Sequence, residues 1–186
     1  MKTFCFISAI ILVSITLSAQ PREGKNVELS LSGSYQNYSS GSGSGSSGAL
    51  LLSPRAGFFL INGLELEPEL LLMISSGSDP AYVLNANLCY NFLLEKKSIP
   101  FLLIGYGIAN TTPFFNVPFG KTDFKIGVFN IGAGLKIFID NNVAIRLEYR
   151  FQKYSGDDVK NSYGYSYTTK VDTRINTVQF GFSILL

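Results

Sequence analysis

Histidine and tryptophan are absent from the 186 residues, and there are only two cysteines. Without histidine, no imidazole is available as the base that a serine or water nucleophile needs near neutral pH, so the only enzyme left open is one built on Asp and Glu alone. There is likewise no cysteine–histidine metal set and no glycine-rich phosphate loop at a strand–helix junction. Neither a metal nor a cofactor is expected. Charge is scarce as well: 15% of residues are charged, against about 25% in an ordinary soluble domain. A net charge of +2 is too small to recruit nucleic acid. Although 46% of the residues are hydrophobic, no stretch after the leader approaches the ~20 apolar residues of a membrane-crossing helix. The apolar residues must therefore be dispersed.

The N-terminus stands apart. Lys2 is followed by an apolar run from Phe4 to Leu17, and Leu17-Ser18-Ala19 offers a small residue before Gln20. A run this short reads as a secretory signal peptide over 1–19, leaving 20–186 as one domain. Cys5 lies too early to be a lipidated cysteine. Only Cys89 survives processing, so the mature chain forms no intrachain disulfide.

Period-two alternation dominates the remainder. Val143, Ile145, Leu147, Tyr149 and Phe151 alternate with Ala144, Arg146, Glu148, Arg150 and Gln152. A helix would scramble these two sets, whereas a strand places one on each face. Seven more segments behave alike, led by Val27, Leu50, Leu64, Tyr82, Leu102, Ile131 and Val178. Their connections alternate in kind. Asn62-Gly63, Glu95 to Ile99 and Asp140-Asn141-Asn142 are tight turns, while Ser39 to Gly48, Ser75 to Pro80, Thr112 to Asp123 and Gly156 to Lys170 are longer links. Short turns at one rim and long loops at the other are the pattern of an all-β, membrane-spanning, up-and-down antiparallel eight-stranded barrel. Its short turns and both termini would lie in the periplasm, and its long loops outside.

A soluble ligand-binding barrel would show the same alternation inside out and stays open as an alternative. Against it stand apolar faces five or six residues deep, glycines on the polar faces (Gly105, Gly107, Gly132, Gly134) and the absence of a lipocalin Gly-x-Trp signature. In a membrane, charge decides the register. Arg146 and Arg150 facing lipid would cost about 2–4 kcal/mol each at mid-bilayer, so the charges point inward.

The stretches Leu52 to Phe59, Pro100 to Gly107, Asn130 to Lys136 and Arg146 to Arg150, with the turns Asn62-Gly63 and Asp140-Asn141-Asn142, resemble the OmpA/OmpX-type eight-stranded barrels. They are especially similar to the small outer membrane protein β-barrel domain proteins of Bacteroidota. The resemblance covers essentially the mature chain. It implies a bacterial outer-membrane location, outer-membrane lipid as surroundings and the barrel assembly machinery as a partner during biogenesis. Such barrels usually end in an aromatic residue; here Leu186 stands in that place. The enzymes among small outer-membrane barrels rely on a histidine, so a non-enzymatic role is expected.

Two sets of residues are candidates for function. The inward charges are Glu28, Glu65, Glu67, Glu69 and Glu148 with Arg55, Lys136, Arg146 and Arg150. An eight-stranded barrel has room only for side chains inside, so these charges should pair and plug the lumen; a narrow passive channel for small solutes or ions is the alternative. Glu67 beside Arg146 or Arg150 is the expected centre. The second set belongs to the external links: Phe114, Phe115 and Phe119, then the alternating Tyr163, Tyr165 and Tyr167. These offer a surface for a partner or an extension of the last hairpin. Cys89 should face the lumen beside Asn87 and Asn91 as an inert thiol.

Overall fold

The computed structural model describes residues 25–38, 47–61, 63–75, 80–92, 97–110, 126–162 and 165–186. The alternating segments form strands β1 (Val27–Tyr38), β2 (Ser47–Ile61), β3 (Leu64–Ser75), β4 (Ala81–Asn91), β5 (Ser98–Ala109), β6 (Ile126–Phe138), β7 (Val143–Ser162) and β8 (Tyr165–Leu185). Each pairs antiparallel with the next, and β8 returns to β1, closing the barrel. Closure removes the sheet edge that a bilayer would otherwise leave without hydrogen-bond partners. Among the described residues no helix is long and apolar enough to cross a membrane; the crossing is made by strands.

The faces separate cleanly by chemistry. On β7, Arg146, Glu148, Arg150 and Gln152 are buried while Leu147 and Tyr149 are exposed; on β8, Thr177, Gln179 and Ser183 are buried while Val178, Phe180, Phe182 and Ile184 are exposed. An apolar surface continuous around every strand is a lipid-facing belt, because water would not tolerate a patch of that size. The soluble alternative is thereby overturned: the apolar set lies outside and the charges lie inside. Near one edge of the belt, the Tyr149 hydroxyl donates to Asn176 Oδ1 at 2.8 Å.

The links differ from expectation in two places. β7 and β8 remain paired out to Ser162 opposite Tyr165, so 156–170, expected as a longer link, is mostly a β-ribbon, the extension of the last hairpin that the alternating tyrosines offered. The ladder to β6 ends at Gly156 and the ladder to β1 at Phe180, leaving this ribbon to rise beyond its neighbours. β2 also begins within the serine-glycine link, at Ser47. At the opposite rim Gly63 takes a φ of 76°, which the turn after Ile61 requires and glycine supplies without a Cβ clash. Its carbonyl accepts the Asn91 amide at 2.7 Å. Pro54 and Pro68 face outward, and the β2–β3 ladder is interrupted around both, since proline has no N–H to give.

Inside the ring, glycine makes space. A Cβ on Gly134 would stand 2.3 Å from Phe101 Cζ and 2.4 Å from the Leu147 carbonyl, whereas on Gly33, on the outer face of β1, the nearest atom would be 3.2 Å away. Gly134→Ala is expected to cost about 1–3 kcal/mol by overpacking and Gly33→Ala clearly less. Urea titration in lipid vesicles, read as the loss of the fast-migrating folded band on a gel, measures both.

Candidate functional site

All nine predicted inward charges are buried in the lumen, each at most 4% exposed. Alternation puts them there. β3 contributes Glu65, Glu67 and Glu69 at every second position, and β7 contributes Arg146, Glu148 and Arg150 in the same way. β3 and β7 are four strands apart in a closed ring of eight. Contacts between them therefore cross the full lumen.

Nearest the short turns, Lys136 Nζ lies 2.6 Å from Glu28 Oε2 and 3.1 Å from Glu65 Oε2. Asn91 donates to the same Glu65 oxygen at 2.9 Å. One level on, the Arg146 guanidinium grips Glu67 with both Nη atoms, at 2.7 and 3.1 Å, a bidentate geometry suited to arginine. Arg146 Nη2 also reaches Glu148 at 3.0 Å, and its Cζ stands 4.4 Å from the Phe101 ring centre. Above these, Arg55 lies 2.5 Å from Glu148 and 3.0 Å from Glu69, and Arg150 lies 2.6 Å from Glu148 and 2.5 Å from Glu69. Ser53, Asn85 and Asn87 donate to Glu69, and Arg55 to Gln179 Oε1 at 2.6 Å. An amide relay follows: Gln152 donates to Asn130 at 2.8 Å, and Asn130 to Asn85 at 2.9 Å.

Buried apolar side chains flank this polar column on both sides. Toward the long links lie Leu51, Leu71, Met73, Val83, Val128 and Ile175 with Tyr154; toward the short turns lie Ile99, Phe138, Ala144 and Leu185. A cavity of about 10 Å³ beside Gln152 and Tyr154 in the upper cluster is no larger than one water. Donor atoms of Glu65, Glu67 and Cys89 lie within 4.8 Å of one another. However, Lys136 and Arg146 already serve those carboxylates, so the trio is part of the ion-pair lattice.

Glu67 pairs with Arg146, while Arg150 sits a level higher on Glu69 and Glu148. Cys89 is buried between Asn87 and Asn91. Phe114, Phe115, Phe119 and Tyr163 lie outside the described residues. Tyr165 and Tyr167 belong to β8, opposite Ser162 and Lys160. Sequence reasoning did not name Phe101 and Leu103 as inward residues, because they are apolar like the outer face of β5, although the register set by Gly105 and Gly107 places them inside. It also missed the linking roles of Asn85, Asn130, Gln152 and Gln179. These sit on the polar faces, but only the strand register brings them into contact.

A closed ring of eight antiparallel strands, apolar outside and ionic inside, defines an outer-membrane β-barrel. The family described as outer membrane protein beta-barrel domain matches residues 7–184, and the chain belongs to it; the family is one of the bacterial outer membrane. Among solved structures, the chain is similar to Neisserial surface protein A, at 15% identity over 86% of this chain and 96% of that one, with a TM-score of 0.59. It is equally similar to the N-terminal β-barrel domain of Pseudomonas aeruginosa OprF, at 16% identity over 88% and 100%, with a TM-score of 0.59. At such identities these likenesses concern the fold. No curated protein matches the chain.

Lys136 is the cation on which Glu28 and Glu65 converge. Lys136→Met, which leaves Glu28 without its nearest cation, is expected to lower stability by about 3–5 kcal/mol, as when one partner is removed from a buried ion pair. On the outer face, Leu147→Arg is expected to cost about 2–4 kcal/mol at mid-bilayer. The same urea titration in vesicles reads both.

Proposed function

We propose that this protein is a non-enzymatic structural barrel of the outer membrane whose lumen is plugged by its own side chains, and whose long-link rim serves surface contact. The observation that carries this reading is the set of ion pairs between β3 and β7. They bridge opposite walls at 2.5–3.1 Å, which supports a lumen filled by its own side chains. Apolar clusters at both ends support the same reading, since a conducting pore would be lined by polar side chains in contact with water.

In this reading residues 1–19 are removed on export, the short turns and both termini face the periplasm, and the barrel assembly machinery inserts the chain. The β7–β8 ribbon rises on the outer side and is the platform for any surface partner. Planar bilayers decide between a plug and a narrow channel. Purified barrel is expected to add no unitary current at neutral pH. Steady openings that scale with salt concentration would establish the channel instead.

A further inference from the structure

The buried charges do not balance. Among the described residues the lumen encloses five carboxylates, Glu28, Glu65, Glu67, Glu69 and Glu148, and four cations, Arg55, Lys136, Arg146 and Arg150. Fully ionised, the set would hold one uncompensated negative charge away from water, a state that proteins avoid by neutralising a group. The other charged side chains for which burial is described lie on the outside or at the rims.

The contacts single out one carboxylate. Glu69 is served by Arg55, Arg150 and three neutral donors; Glu148 by three arginines; Glu67 by both Nη atoms of Arg146. Glu28 takes the shorter contact of Lys136, 2.6 Å, and has Arg146 at 3.5 Å on its other oxygen. At Glu65 both donors, Lys136 and Asn91, converge on Oε2, and Oε1 has no hydrogen-bond partner although the residue is fully buried. That oxygen lies over Gly57, where a Cβ would stand 1.6 Å from it. The groups facing Glu65 are Glu28 on β1, Glu67 on β3, Cys89 and Asn91 on β4, Lys136 on β6 and Arg146 on β7. The two cations are shared with better-placed carboxylates.

We infer that Glu65 is a proton-binding site: it is a neutral carboxyl at neutral pH, with its proton on the oxygen that no donor reaches, and the lumen is thereby electroneutral. A proton fits where a metal ion does not, because Lys136 and Arg146 stand against the same carboxylates. The absence of a side chain at Gly57 gives Oε1 its room. The inference rests on the lumen being sealed, as proposed above.

Infrared spectra of the full barrel in lipid at neutral pH test it. One protonated-carboxyl C=O band is expected, shifting on transfer to D2O and missing from Glu65→Gln. Because that variant replaces one neutral group by another, its urea midpoint should match that of the unmodified barrel, whereas Glu69→Gln should lower it. Selective ¹³C labelling of glutamate gives the same answer without substitution: one side-chain carboxyl at the neutral-acid shift. No such band or shift, or a band that survives in Glu65→Gln, overturns the inference. Bilayer current is read separately, so a closed barrel with every carboxylate ionised would reject this site alone, while a conducting one would reject the plug.

Discussion

The structure depends on paired charge held inside a ring of strands. Nine ionised or ionisable side chains are buried inside the barrel, and they are tolerable there only because nearly every carboxylate oxygen meets a guanidinium, an ammonium or an amide. This requirement fixes the register of β3 and β7 more firmly than the apolar face alone could. A slip of one residue on either strand would turn Glu67 or Arg146 to the lipid and leave its partner alone. Because the two strands stand on opposite walls, the contacts between them also set how closely those walls approach.

The other features serve that lattice. Glycines at 57, 107 and 134 remove side chains where Glu65, Asn85 and Phe101 reach across. Asn85, Asn87, Asn130, Gln152 and Gln179 carry hydrogen bonds from the ionic layers into the neutral ones, so that polarity fades toward the apolar clusters at each end. Outside, Leu, Ile, Val, Phe and Tyr present a belt in which the bilayer itself is the packing partner. Prolines at 54 and 68 are accommodated on this outer face at the cost of gaps in the β2–β3 ladder.

Much of this was legible in the chain, because each feature had a local signature. Strict alternation along Val143 to Gln152 gave a strand, its outer face and its inward charges together. Asn62-Gly63 and Asp140-Asn141-Asn142 marked turns, and the count of alternating segments implied eight strands. What stayed hidden was non-local or lacked contrast. Phe101 was not named as an inward residue because it is apolar like the outer face of β5. The pairing of Glu67 with Arg146 rather than Arg150 depends on the stagger of strands four apart. The β7–β8 ribbon was half legible: Gly156 and its polar neighbours read as a longer link, while the alternating Tyr163, Tyr165 and Tyr167 offered an extension of the last hairpin.

The most direct test of the central claim is a double-mutant cycle on Glu67 and Arg146, with unfolding free energies measured by urea titration in lipid vesicles. If the ion pair across the lumen holds the two walls, Glu67→Gln and Arg146→Met should each destabilise, and the pair should couple by about 1–3 kcal/mol. Additive effects with no coupling would mean that the lattice fills space without holding the barrel together.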